Sequence, residues 1–296
     1  MTAELEVLHP GLQTLVQDLG RPGWAHVGVG RCGAADAGAL RLANRLVGNA
    51  EGAAGLEVLM GGLGVRLRGA ATLALAGAPA PAWLDDVPVG AHAPLEARDG
   101  AVLRLGAPAR GLRTYVAVRG GLDVEPVLGS RSTDRLAGLG PSPLAAGDVL
   151  PVGPPPQAWP PVDVAPVGPW PREVVLPVVP GPHADWFVDG VARLWGGSAG
   201  RARAVHGYTA SPDSDRVAVR LDGPRVVRLA RREGAELAPA GLVPGAVQVP
   251  PDGRPVVFGV DHPVTGGYPV VAVVRSAALG LLGQVRPGEH VRFVRG

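Results

Sequence analysis

The apolar runs in this chain are short, and Gly or Pro bounds nearly every one of them. Leu56-Glu-Val-Leu-Met60, Gly64-Val-Arg-Leu-Arg68, Ala71-Thr-Leu-Ala-Leu-Ala76, Val102-Leu-Arg-Leu105 and Thr114-Tyr-Val-Ala-Val118 each have a Gly within two residues of one end. Val174-Val-Leu-Pro-Val-Val179 and the segments near 216–221, 246–249, 256–260 and 270–274 have a Gly or Pro as close. Gly and Pro interrupt a helix ladder, whereas runs of this length with β-branched residues suit strands joined by tight turns. The expected architecture is therefore mainly β with a few short helices. With 45 Gly and 32 Pro among 296 residues the chain could be low in complexity, but hydrophobic residues reach 46% and no short repeat is visible. A packed core is the better expectation.

Three helices are expected. The first spans 37–47, with Asp36 as N-cap, Gly48 at its stop and Leu40, Ala43 and Val47 on one face. The second covers 183–195 and the third 277–285, capped by Ser276. Residues 151–171 carry nine prolines in 21 positions and read as a stiff connector. It separates a first domain over 1–150 from a second over 172–296. A weak echo, Asp36 before Arg41-Leu42 and Asp215 before Arg220-Leu221, suggests that the two are related.

Charge excludes some functions. The formal net charge is +2, every basic residue is Arg, and the arginines are scattered without interleaved aromatics, so nucleic acid is not an expected partner. The single cysteine, Cys32, allows no disulfide within the chain. The histidines show no metal-ligand spacing, and no metal site is expected. No apolar run reaches the roughly 18 residues that span a bilayer, and the N-terminus lacks the pattern of a signal peptide, so no membrane association and a cytoplasmic location are expected.

The chemistry-bearing residues cluster in loops. Asp261-His-Pro-Val-Thr-Gly-Gly-Tyr-Pro269 packs an acid, an imidazole, a hydroxyl, a phenol and two glycines between apolar strands. It reads equally as a hairpin turn or as a site. Gln17-Asp-Leu-Gly-Arg-Pro-Gly23 sets an amide, an acid and a guanidinium on one turn, where an Asp18–Arg21 pair could simply hold the backbone. Gly129-Ser-Arg-Ser-Thr-Asp134 offers hydroxyls beside Arg131, suited to an anion or to helix capping. Pro180-Gly-Pro-His-Ala-Asp185 could pair His183 and Asp185 as base and orienter, or as caps. Residues 208–216 form another polar loop, and Asp252-Gly253 is a hairpin signal. Gly28-Val-Gly-Arg-Cys-Gly33 spells a dinucleotide fingerprint and precedes a helix, but no buried strand leads into it and the strands that follow are of antiparallel type.

Taken together, these loops resemble one family. The motifs are the 17–23 and 129–134 loops, Ala43-Asn-Arg-Leu-Val-Gly-Asn49, Leu56-Glu57, Gly120-Gly121, Gly181-Pro-His183, Ser211-Pro-Asp-Ser-Asp-Arg216, Gly245-Ala-Val-Gln-Val-Pro-Pro-Asp-Gly253 and Thr265-Gly-Gly-Tyr-Pro269. They are similar to the larger, C-type subunit of bacterial ATP-dependent 5-oxoprolinases, also described as allophanate hydrolase subunit 2 or the biotin-dependent carboxyltransferase-domain family. The resemblance covers nearly the whole chain. It implies two related cyclophilin-like β-barrel domains, a smaller B-type partner subunit and a third, A-type subunit. It implies ATP, with Mg2+, as cofactor and 5-oxoproline as small-molecule substrate.

The family also contains carboxyltransferases that take a carboxyl group from carboxybiotin, for which biotin would be the cofactor. A further relative is a non-catalytic regulator that binds its partner. Under the first reading Asp261, His183 and Thr265 are the expected catalytic residues. Gln17, Asp18, Arg21, Ser130, Arg131, Ser132, Ser211, Asp215, Arg216, Gln248, Gly266, Gly267 and Tyr268 are the expected substrate or nucleotide contacts. The chain departs from the family pattern at Ala34-Ala35-Asp36, at 233–241 and at His262-Pro263. Those departures bear on substrate more than on fold.

Overall fold

The computed structural model describes residues 3–160, 163–195 and 207–296. The chain divides into two compact units. The first contains residues up to Gly23 and from Arg31 to Trp170; the second contains Trp24–Gly30 and everything from Pro171 onward.

The first unit holds eleven strands: β1 (Glu4–Pro10), β2 (Gln13–Gln17), β3 (Gly55–Leu59), β4 (Leu63–Arg68), β5 (Ala71–Gly77), β6 (Ala82–Leu84), β7 (Val87–Val89), β8 (Pro94–Ala97), β9 (Val102–Leu105), β10 (Arg113–Val118) and β11 (Val149–Pro151). They form a six-stranded sheet ordered β11-β1-β4-β9-β6-β7 and a five-stranded sheet ordered β2-β3-β10-β5-β8. Both sheets send alternate residues into one core, with Leu5, Val7, Val65 and Leu67 from the first meeting Leu56, Val58, Leu73 and Val116 from the second.

The five-stranded sheet is covered on its other face by helix α1 (Ala37–Leu46). There β5 presents Ala74 and Ala76, and β10 presents Ala117 beside Tyr115. The small alanines let Leu40, Ala43 and Leu46 of the helix pack close to the sheet. β5 and β10 are thus buried on both faces, which is why they read as unbroken apolar runs. Asp36 caps α1, its Oδ1 accepting from Ala39 N at 3.0 Å.

The proline-rich stretch begins as sheet. β11 pairs with β1, and Leu122 bridges Val152. Arg119 then donates to the carbonyls of Val47, Pro156 and Ala158, and its guanidinium lies 3.9 Å from the centre of the Trp159 ring. Residues 151–160 are thereby held against the first unit rather than standing clear of it.

The second unit contains β12 (Val174–Pro180), β13 (Tyr208–Ala210), β14 (Ala218–Asp222), β15 (Ala240–Gly241), β16 (Ala246–Gln248), β17 (Val256–Phe258), β18 (Thr265–Gly266), β19 (Val270–Val274) and β20 (His290–Arg295). Seven of them close a barrel in the order β12-β19-β16-β17-β14-β13-β20. The parallel pairing of β12 with β20 completes the ring. Val174, Leu176 and Val178 of β12 point inward with Val247, Val257, Val271 and Phe293. Among the described residues no helix is long and apolar enough to cross a membrane.

Two of the three expected helices are altered. The segment 183–195 is two 3-10 turns, Ala184–Trp186 and Gly190–Trp195. Phe187 leaves helical space (φ −117°, ψ 150°) to bridge Arg228, and Asp189 turns to φ 61°. The last helix shrinks to a 3-10 turn at Ser276–Ala278 and one α turn, α2 (Leu279–Leu282), and Ser276 makes no side-chain cap. The echo between the halves is not structural either, because Asp36 starts a helix whereas Asp215 closes a turn before β14. The 28–33 glycine run carries no βαβ unit. Its first part, a 3-10 turn at Ala25–Val27 ending in left-handed Gly28, belongs to the second unit. The Asp252-Gly253 turn does join antiparallel strands, β16 and β17, with Gly253 N donating to Pro250 O.

Two outcomes are expected. Asp36→Ala should destabilise the first unit by about 1 kcal/mol while Asp36→Asn stays within a few tenths of wild type, by denaturant unfolding. Burial pushes the Tyr208 phenol up to about 12, and among the described residues its hydroxyl has no hydrogen-bond partner. An unfolded tyrosine ionises near about 10. Its contribution is therefore fully present below that pH, and stability falls as pH rises through the window up to the folded value. Tyr208→Phe should flatten that alkaline loss without lowering stability at neutral pH.

Candidate functional site

In the first unit the loops 17–23 and 129–134, more than 100 residues apart in sequence, interlock. The Asp18 carboxylate accepts from Gly20 N, the hydroxyls of Ser130 and Ser132 and the backbone N–H of Arg131, at 2.6 to 2.7 Å. Ser132 Oγ also accepts from Asp18 N. Arg21 is 1% exposed and reaches Asp134 Oδ2 at 3.2 Å, with further bonds to the carbonyls of Val127 and Ser132. Asp134 Oδ1 caps the turn at Leu136 and Ala137. The Asp18–Arg21 pair that the sequence suggested does not form. Each residue pairs with the other loop instead.

Gln17 donates to Thr133 O, and among the described residues Gln17 Oε1 and Thr133 Oγ1 are buried without a partner. Arg131 turns outward to Asp123 and the carbonyl of Val124. The loop residues named from sequence thus do assemble, but into a buried lock rather than an open anion cradle.

A second lock, not among the named site residues, stands beside it in the same unit. Glu57 is 2% exposed. It accepts from Arg113 Nε, from the Tyr115 hydroxyl and from Ala35 N. Tyr115 in turn accepts from Asp36 N, which fixes the entry to α1. Burial and the nearby Glu57 and Asp36 charges push the Tyr115 phenol well above its ordinary range, so it stays a donor. The alternation of β3 could have flagged Glu57, since a charged residue on an otherwise apolar strand needs buried partners.

In the second unit Arg216 grips both oxygens of Asp261, Nε to Oδ2 at 2.7 Å and NH2 to Oδ1 at 3.1 Å. The side chains are 6% and 1% exposed, so the pair is desolvated and bidentate. It pins the base of the 261–269 loop. Ser211 and Asp215 hold the turn before β14, accepting from Asp213 N and from the amides of Val217 and Ala218.

Gln248 donates to Tyr268 O at 2.8 Å and pins the loop's far end. Gly266 packs closely there: a Cβ would come within 2.7 Å of Gln248 Nε2 and 2.8 Å of the Leu242 side chain, so those side chains would have to shift. Thr265 and Gly266 pair with β15, leaving Thr265, Gly267 and Tyr268 exposed at the apex. His183 lies against the following strand, with its backbone N–H on Val270 O and its Nδ1 accepting from Val270 N at 3.1 Å. His183, Gln248 and the 265–270 backbone therefore form one contiguous group. His262, which the expected site omitted, is 7% exposed and bonds Pro263 O through Nδ1 at 2.8 Å.

These features define a mainly β protein whose polar loops are stiffened by buried locks. The family described as "Carboxyltransferase domain, subdomain A and B" matches residues 27–295. The 5-oxoprolinase C subunit of Escherichia coli (strain K12) is 36% identical over 98% of this chain and 91% of its own length. The corresponding C subunit of Haemophilus influenzae is 32% identical over 98% and 90%. The urea amidolyase of Lachancea kluyveri is 35% identical over 98% of this chain, which corresponds to 17% of that enzyme. Among solved structures, the K. lactis urea amidolyase superposes with a TM-score of 0.89 at 30% identity, covering 99% of this chain and 19% of that one. The chain belongs to the carboxyltransferase-domain family.

A double-mutant cycle tests the second-unit lock. Arg216→Met and Asp261→Leu should each destabilise by about 3 to 5 kcal/mol, because each strands a buried charge, while the double variant recovers most of that loss. Additive losses in denaturant unfolding would show that the pair is not coupled.

Proposed function

We propose that this chain is the C-type subunit of an ATP-dependent 5-oxoprolinase that opens the lactam of 5-oxoproline to L-glutamate with a B-type partner and an A-type subunit. The observation that carries this reading is its identity to two bacterial C subunits over at least 90% of their length. The chemistry needs activation. Amide resonance makes a lactam carbonyl a poor electrophile, and a phosphoryl group on its oxygen turns that oxygen into a leaving group. Water then attacks the carbon, the C–N bond opens with the nitrogen leaving as the amine, and a second water cleaves the acyl phosphate that remains, so that glutamate, phosphate and ADP result.

Arg21, Arg131 and Arg216, the arginines expected among the substrate or nucleotide contacts, face Asp134, Asp123 and Asp261. The guanidinium groups of Arg21 and Arg216 are buried in those pairs and do not reach out to a phosphate, whereas Arg131 stands half-exposed on the surface. We therefore assign nucleotide handling to the assembly and route no step of it through them. Asp261, with both oxygens on Arg216, serves as a positioning residue for the loop. The apex residues Thr265, Gly267 and Tyr268, with the glycine N–H groups, are those suited to meet the substrate, where backbone donors can stabilise developing negative charge.

Mixed with its B-type and A-type partners, ATP and 5-oxoproline, the chain should yield glutamate and ADP in equal amounts. Absence of both overturns the reading. Bicarbonate-dependent carboxylation of an amide with a biotin carrier would replace it by the carboxyltransferase reading.

A further inference from the structure

The barrel of the second unit has two ends. Pro180 of β12 pairs with Ala272 of β19, and the backbone of His183 bonds Val270 O, so the C-terminal end of β12 lies at the end where the 261–269 loop enters β19. The seven residues of β12 run back from there for about 20 Å. At the other end, where β12 begins, a cavity of about 700 Å3 is lined by Arg172, Glu173, Gly207 and residues 288–292. β20 runs between β12 and β13 at this point, with Val291 paired to Val174 on one side and to Tyr208 on the other. Val291 points into the barrel core, so His290 and Arg292 project from the outer face. The backbone that carries them is fixed to β13: Gly288 N donates to Ala210 O at 2.7 Å, and Ala210 N donates to Glu289 O at 3.0 Å.

Two Arg and two Glu line the cavity, so their charges balance. They are not all paired with one another. Arg292 and Glu173 form a fork, Nε to Oε1 and NH2 to Oε2, both at 3.1 Å. Glu289 accepts from Arg286 N through Oε2 at 3.0 Å. His290 Nδ1 lies 3.4 Å from Thr209 Oγ1. Among the described residues two charged groups of this wall are left over, the Arg172 guanidinium and Glu289 Oε1. They are opposite in sign. An open guanidinium calls for a carboxylate, and an open carboxylate oxygen calls for a cationic N–H. A phosphate would gain Arg172 but would stand against Glu289 and Glu173, which repel it. The matching ligand carries a carboxylate and an ammonium a few bonds apart.

We propose that this cavity binds a free α-amino acid, with its carboxylate on Arg172 and its ammonium on Glu289. The site is separate from the 265–268 apex. Only the choice of amino acid rests on the lactam-opening reading. Under that reading it is L-glutamate, the product, whose nitrogen is an ammonium. The nitrogen of 5-oxoproline is an uncharged amide with nothing to offer Glu289. The cavity then tells product from substrate by one charge, which is what a product-sensing site needs.

Amide 1H–15N spectra of the full 15N-labelled chain, titrated separately with L-glutamate, L-alanine, 5-oxoproline and inorganic phosphate, test the site. L-Glutamate and L-alanine should shift the amides of residues 207–209 and 288–292. 5-Oxoproline and phosphate lack the ammonium and should bind there at least about tenfold more weakly. Glu289→Gln keeps an acceptor for Arg286 N, and Arg172 is exposed, so Glu289→Gln and Arg172→Gln should fold as wild type does. Each should weaken L-glutamate binding about tenfold or more. No shift at 288–292 with millimolar L-glutamate, equal binding of 5-oxoproline or phosphate, or unchanged affinity in either variant overturns the inference. An assembly that opens no lactam removes glutamate as the natural ligand, and the two amino-acid titrations still decide the site.

Discussion

A carboxylate removed from water must find its donors inside the fold, and in this chain that requirement organises the loops. Asp18, Glu57, Asp134 and Asp261 are all at most 8% exposed. Each draws donors from a distant segment: Asp18 from residues 112 to 114 positions away, Glu57 from Ala35 and Arg113, Asp134 from Arg21, and Asp261 from Arg216. Removing any one of them leaves several polar partners buried and unpaired at once. Loops that would otherwise be mobile connections therefore behave as parts of the core.

This separates two kinds of polar residue that look alike in the sequence. Asp18, Arg21, Ser130, Ser132, Arg216 and Asp261 are consumed by one another. Thr265, Gly267 and Tyr268 are left at an apex whose two ends are pinned by the Arg216–Asp261 pair and by Gln248. A rigid frame with a small exposed tip suits a family whose relatives include both 5-oxoprolinase subunits and urea amidolyases. His262, where this chain departs from the family pattern, sits next to the lock and not within it.

Much of the architecture was legible because it follows from local rules. Short apolar runs between Gly and Pro became strands, and Asp36 with Gly48 bounded α1 as capping physics requires. The signal for β1 is the alternation of Glu4-Leu-Glu-Val, and its burial alternates with it. The expected helix over 183–195 failed because Phe187 and Arg228 bridge, a contact between distant residues that no local pattern contains. The 151–171 stretch carries no helix among its described residues, as nine prolines require. That Arg119 would clamp its carbonyls had no local signal.

The sequence by itself determined the kinds of element, the family and the list of polar loops, because periodicity, caps and motif spacing are encoded over a few residues. Only the tertiary structure decided which of those polar residues face one another. The choice of Asp134 over Asp18 as partner for Arg21, the bidentate Arg216–Asp261 pair and the opposite backbone contacts of His183 and His262 all depend on where remote strands bring the chain. The physical reason is that a buried charge or ring nitrogen takes its role from the donor or acceptor beside it, and in a barrel that neighbour lies tens of residues away.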